Sequence, residues 1–247
     1  MARAERVLRF GVAAFALLAA PARADRLALW SIVHDQCAPH AAEGDDPPRP
    51  CIEVDPAGGA LLKDLHGVAQ LLEIPTARVT GIEDPAVLAD DAPDYFALAW
   101  RERWRMNAYL KASPPREALA ITVNSQFSRS QDQLHLHIDC LIPEVAKALA
   151  DYAPHLDAQW RPMEIALSGR RYWARRVNSA DLEGVRPFRR LADDMPDARR
   201  EMGLWSLAAV PVSFDGRPGF ALLADSAGLE GGGHAEDLQD HDCALAR

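Results

Sequence analysis

Eight residues, Gln133-Leu134-His135-Leu136-His137-Ile138-Asp139-Cys140, restrict the fold of this chain more than any other stretch. Apolar and polar side chains alternate with a period of two, which is the pattern of a β-strand and not of a helix. Leu134, Leu136, Ile138 and Cys140 share one face, while Gln133, His135, His137 and Asp139 share the other. The first face demands a core. The second sets two imidazoles, a carboxylate and an amide side by side on a strand otherwise suited to burial, so it is expected to line a site. Its non-functional alternative is the solvated face of an edge strand.

The other elements follow from the same reasoning. Asp25 is a candidate N-cap for a first helix carrying Leu27, Ala28, Trp30, Ile32 and Val33. Short apolar runs bounded by Pro and Gly predict strands over 51–54, 60–65 and 69–74. Asp94 caps an amphipathic helix over 95–110. Strands are expected over 119–124 and 134–140, with a helix from Pro143 to about 152. The second half reads as a strand over 172–177, a helical stretch over 188–202, strands over 204–212 and 220–224, and a final helix from about 235. Strands and helices without regular alternation predict an α+β fold with a mostly antiparallel sheet. With no internal repeat and no long linker, residues 25–247 are expected to form one catalytic domain.

Residues 1–24 read as an address. Arg3, Arg6 and Arg9 precede an uncharged run over 10–22, and Ala22-Arg23-Ala24 has the small-x-small form of a signal-peptidase site. The run is shorter than the roughly 20 residues of a bilayer span, so a cleaved signal peptide or a retained N-terminal membrane anchor is expected. The whole chain has a net charge of −9, and its basic leader makes the remainder more acidic still; a nucleic-acid partner is therefore not expected. In an exported chain, Cys37, Cys51, Cys140 and Cys243 read as two disulfides, since they contain no C-x-x-C pair. Of the three pairings, Cys37 with Cys51 is preferred because it staples the Pro-, Asp- and Gly-rich loop over 38–50. Cys140 is then left for Cys243.

Two chemistries suit the polar face of 133–140. His135 and His137 could share a metal with Asp139, with further ligands drawn from His155, His234 or His241. Alternatively, one imidazole is a nucleophile toward phosphorus while its neighbour orients the substrate. A di-metal hydrolase motif of the form His-x-His-x-Asp-His would need histidine where Cys140 stands. A non-catalytic envelope protein is the third alternative.

The stretch 133–139 resembles the histidine-triad motif, three histidines alternating with apolar residues behind a polar loop, here Asn124 to Asp132. Arg129-Ser130-Gln131, the His135-x-His137 strand and Ile142-Pro143 are similar to one branch of that superfamily, the bacterial CDP-diacylglycerol pyrophosphatases. So are Leu62-Lys63-Asp64-Leu65 before Gly67, Pro75-Thr76 with Arg78 and Gly81, Ala99-Trp100, Ala174-Arg175-Arg176-Val177, and Gln239-Asp240-His241 before Cys243. The resemblance implies a histidine-triad-like fold and a nucleotidyl transfer to His135, with CDP-diacylglycerol as substrate. His137 would hydrogen-bond the phosphate or leaving oxygen, Ser130 would lie near the leaving group, and Asn124 would hold the phosphate-proximal backbone. Gln133 stands where the first histidine is usual; a register shifted by two would make His137 the nucleophile.

No metal or other cofactor is needed for that route. Lys63 and Arg78 are candidates to face the pyrophosphate. Arg175 and Arg176 belong to a basic island with Arg170, Arg171, Tyr172 and Trp173, suited to substrate or to an anionic membrane surface. The implied location is the periplasmic side of the inner membrane. A homodimer is compatible with the sequence but is not specified by it.

Overall fold

A computed structural model describes residues 25–228 and 232–246; the expected leader lies outside the described residues. The α+β expectation holds. Among the described residues, nine strands form one sheet in the order β1-β2-β3-β5-β4-β8-β9-β7-β6, and every neighbouring pair is antiparallel. They are β1 (Glu53–Asp55), β2 (Gly59–Lys63), β3 (Leu71–Pro75), β4 (Leu119–Val123), β5 (Leu136–Cys140), β6 (Arg161–Pro162), β7 (Trp173–Val177), β8 (Trp205–Phe214) and β9 (Arg217–Ser226). The longest pair, β8 and β9, turns through Asp215-Gly216, both at positive φ, as a two-residue hairpin requires.

The alternation of 133–140 is realised on an interior strand covered on both faces. Leu136 and Ile138 enter a core with Leu71, Ile121, Leu207 and Leu222, closed by Phe96 and Trp100 of α3 (Tyr95–Glu102) and by Phe188 and Leu191 of α5 (Pro187–Asp194). The opposite face has two separate covers. Val145 and Leu149 of α4 (Pro143–Tyr152) pack on Ala120, Ala208 and Leu223. Val33 and Cys37 of the N-terminal helical run pack on Ala60, Leu62, Leu72 and Ile74 at the other end. His137, paired with Leu72 on one side and Thr122 on the other, lies between the two covers. That gap opens as the cavity described below.

Several predicted boundaries are corrected. The first helix does not stop at Val33: α1 (Ala28–Ile32) continues through a π-helical turn, Val33–Cys37, into α2 (Ala38–Glu43), so the supposed loop over 38–50 begins as helix and ends at Gly44, φ +89°. Asp25 is not the cap: it lies two positions before it and accepts from the N–H of the N-cap residue, Leu27, at 2.9 Å. Asp94 does cap α3, accepting from Ala97 N at 3.4 Å. The helix nevertheless becomes 3-10 turns from Arg103 to Tyr109, because the Arg103 guanidinium folds back on the Trp100 carbonyl, the acceptor that residue 104 would use in an α-helix. Pro196 ends α5 by holding Met195 extended.

The expected C-terminal helix is two short 3-10 turns, Ala235–Leu238 and Ala244–Ala246. Between them the backbone is engaged elsewhere: Asp240 N bonds Cys140 O at 2.9 Å and His241 O accepts from Val68 N at 2.8 Å. Both disulfides form as expected, Cys37 with Cys51 and Cys140 with Cys243. No helix among the described residues is long and apolar enough to cross a membrane.

Candidate active site

A cavity of about 380 Å³ sits over β3 and β5 in the gap between the two covers. Leu29 and Ile32 of α1 with Leu62 and Leu72 of the sheet form its apolar wall. His135, His137, Ser130 and Glu236 form the polar one, and Asp64 to His66 close a rim. The sheet parity that put Leu136 and Ile138 in the core put the two histidines here.

His135 is 7 % exposed, and its Nδ1 donates to the Gln133 carbonyl at 2.7 Å. That bond places the ring proton on Nδ1 and leaves the lone pair on Nε2. Burial lowers its pKa, against the opposing pull of that same hydrogen bond and of Glu236, so the imidazole is neutral near pH 7. His137 lies edge-on beside it with ring centroids 4.9 Å apart, and burial, reinforced by His135, lowers its pKa as well. Its Nδ1 is 3.1 Å from Gln70 Nε2 and 3.2 Å from Glu236 Oε1, while its Nε2 is buried without a partner among the described residues.

The C-terminal segment completes the polar wall. Gln239 donates to the carbonyls of Ala120 and His137 and accepts from Thr122 Oγ1, which sews the segment across β4 and β5. Asn124 grips Glu236 at both ends, accepting from its N–H at 3.2 Å and donating to Oε2 at 3.0 Å. Burial alone would raise the Glu236 pKa; His137 and the hydrogen bonds from Gln70 and Asn124 outweigh it and keep the group ionised. Gly67, at φ +65°, lets the rim press against this segment: a Cβ there would meet Gln70 and His241 at 3.2 and 3.3 Å.

A buried neutral imidazole with a free Nε2, a second imidazole beside it and a hydroxyl across the cavity can transfer a phosphoryl or nucleotidyl group covalently. A family model described as CDP-diacylglycerol pyrophosphatase matches residues 24–247. The Yersinia pestis CDP-diacylglycerol pyrophosphatase is 44 % identical to this chain over 221 residues, which covers 88 % of the chain and 84 % of that protein. The chain belongs to the CDP-diacylglycerol pyrophosphatase family.

In this family member the structure brings together His135, His137 and Ser130, with Asn124 one contact away through Glu236. Gln133 is fully buried and engaged with the loop after β3, donating to the carbonyls of Pro75 and Ala77 and accepting from Arg78. Arg78 also bonds the Asp132 carbonyl and lies over the Trp30 ring. Lys63 donates to the carbonyls of Asp64 and Gly67 at 2.7 and 3.0 Å, so it braces the rim, and burial lowers its pKa.

Arg175 and Arg176 are not brought to the histidines. Strand β7 lies four strands from β5, about 19 Å at the usual strand spacing. Arg175 moreover points to the opposite face, where it pairs with Asp194, and Arg176 covers the Phe214 ring at 4.0 Å.

The ligand set His135, His137 and Asp139 does not converge. Asp139 turns to His241 Nδ1 at 2.8 Å. Among the described residues, the one group of three close potential metal ligands is Asp139, Cys140 and Cys243, and both of its sulfurs are in the disulfide. Sequence reasoning missed Gln70 and Glu236. The position of Glu236 between His234 and His241 was the available signal for the second; nothing marked the first.

Proposed function

We propose that this chain hydrolyses the pyrophosphate bond of CDP-diacylglycerol to CMP and phosphatidate, with His135 as the nucleophile. The observation that carries the assignment is the Nδ1 bond of His135 to the Gln133 carbonyl, which aims the Nε2 lone pair into a cavity with one polar and one apolar wall. Nε2 attacks the cytidine-linked phosphorus; the phosphorus–oxygen bond to the phosphatidyl phosphate breaks, and its electron pair leaves with phosphatidate. Water then attacks the nucleotidyl-histidine phosphorus, the phosphorus–nitrogen bond breaks, and its electron pair returns to Nε2 as CMP departs. Phosphatidate is a phosphate monoester with a second pKa near 6, a competent leaving group near neutral pH. His137 and Ser130 are the neighbours able to donate to it.

The histidine-triad-like character of the sheet, export through residues 1–24 and action at the periplasmic side of the inner membrane belong to the same proposal. Two disulfides support an oxidising compartment. The test is release of CMP from CDP-diacylglycerol in detergent micelles containing EDTA, by the full chain and by His135→Ala. Release by the wild type with a loss of about 10³-fold or more in the variant is expected. Full activity of His135→Ala overturns the nucleophile assignment, and dependence on added zinc or manganese overturns the metal-free route.

A further inference from the structure

The apolar wall of the cavity is a row set by strand register and roofed by a helix. Leu62 of β2 stands opposite Leu72 of β3, and Leu72 stands opposite His137 of β5, so the three side chains share one face of the sheet. At the usual strand spacing the row runs about 10 Å from His137 to Leu62. Above it, Leu29 and Ile32 of α1 line the same cavity, three residues apart on one face of the helix. None of the five residues of α1 is buried, although Leu29, Trp30 and Ile32 are among them. The helix therefore spans a space rather than sealing a core.

Both ends of this roof are fastened. The Arg26 guanidinium forks onto Asp132 at 2.6 and 2.7 Å, Asp132 N–H donates to the Arg26 carbonyl at 2.7 Å, and Leu29 N–H donates to Gln131 Oε1 at 3.1 Å. Beyond α1, Cys37 is bonded to Cys51 and packs with Val33 on the sheet. Leu65, which follows β2 and lines the same cavity, is 98 % exposed, so the apolar lining continues to the outer surface. Leu29, Ile32, Leu62 and Leu72 offer no side-chain hydrogen-bonding atom, and a nucleobase laid between them would bury its amide-like edge unpaired. A hydrocarbon chain meets no such cost and gains from burial.

We propose that this space is an acyl-chain slot: one fatty-acyl chain of the lipid-linked nucleotide lies between α1 and the Leu62–Leu72 row while its pyrophosphate lies at the histidines, and Leu29 and Ile32 set the preference for an acylated substrate. This deepens the reaction proposed above and rests on it. The loop that fastens α1 through Gln131 also carries Ser130, so the slot and the polar wall share one frame. Binding energy from a chain remote from the reacting phosphorus then helps to hold the pyrophosphate against His135.

The test compares CDP-dihexanoylglycerol with CDP-glycerol, which share cytidine and pyrophosphate, both as monomers in solution with the full chain. Each methylene taken into the slot is worth about fourfold, so about three to four of them give the wild type a preference of about 10²-fold in kcat/KM for the acylated substrate. Leu29→Gln/Ile32→Gln, which puts amides into the slot, is expected to cut that preference about tenfold or more. Ala28→Phe fills the slot from the first residue of α1, cuts the preference without a polar group, and serves if the double variant does not fold. A wild-type preference no larger than the worth of one methylene, or one that neither variant changes, overturns the proposal. If the wild type releases CMP from neither substrate, the reaction assignment fails and binding decides the slot. In full chain labelled with ¹³C at the isoleucine δ1 methyls, with Ile32→Val to assign the signal, dihexanoyl phosphatidate is expected to shift Ile32 and glycerol phosphate is not. No shift with dihexanoyl phosphatidate, or an equal shift with glycerol phosphate, overturns the slot.

Discussion

Cleaving the Cys140–Cys243 bond should cost more stability than cleaving Cys37–Cys51, and it alone should also disable the site. The first bond joins residues 103 apart and the second residues 14 apart. Loops of those lengths constrain the unfolded chain by about 4.7 and about 3 kcal/mol at 25 °C on the chain-entropy account, a difference of about 1.7 kcal/mol. Cys243 also ends the segment that carries Glu236, Gln239 and His241 over β4 and β5, so its release frees the clamp behind His137. The assay is equilibrium urea unfolding of wild type, Cys37→Ala/Cys51→Ala and Cys140→Ala/Cys243→Ala, with CMP release measured at a temperature where each remains folded. The second double variant should be the less stable by that margin and show depressed turnover while folded. Equal or greater stability of Cys140→Ala/Cys243→Ala would refute the loop-length reasoning, and undiminished turnover would refute the link to the site.

Glu73 of β3 is buried with Oε1 unpartnered among the described residues, and burial, with Asp55 and Glu102 nearby, holds its carboxyl well above the usual range. The folded chain therefore binds this proton more tightly than the unfolded one. The associated stability is whole below the unfolded value of about 4.3 and falls by about 1.4 kcal/mol per pH unit above it, until the folded group itself ionises. Glu73→Gln should match wild type in urea at pH 4 and exceed it at pH 7; an offset independent of pH would contradict this. The hydrogen bond to Asp139 raises the pKa of His241, so its contribution is present below about 6.5 and is lost as pH rises through the raised value. An NMR titration of His241 should move down in Asp139→Asn; no movement would remove Asp139 as the cause.

The sheet and half of the site were legible because period-two alternation is a local property. From 133–140 it assigned His135 and His137 to the face opposite the Leu136 and Ile138 core, and the structure keeps that parity. Helix ends were less legible, since they depend on contacts such as Arg103 with the Trp100 carbonyl or His241 O with Val68 N. The partner of His137 was hidden for the same reason: Glu236 is nearly a hundred residues away and arrives through a disulfide and the Gln239 bonds. Arg175 and Arg176 looked like one basic patch in sequence, yet adjacent strand residues face opposite ways, and their strand is remote from β5. Gln133 keeps the parity of the motif but reaches past the end of β3 to hold Pro75 and Ala77.

The central claim is covalent nucleotidyl transfer through His135. Its most direct measurement is the intact mass of the protein after brief mixing with CDP-diacylglycerol in EDTA and quenching without exposing the acid-labile phosphorus–nitrogen bond to prolonged acid. A mass gain of one CMP moiety in the wild type and none in His135→Ala is predicted. A wild-type protein that turns over substrate without any adduct, or an adduct of equal yield in His135→Ala, would contradict the account.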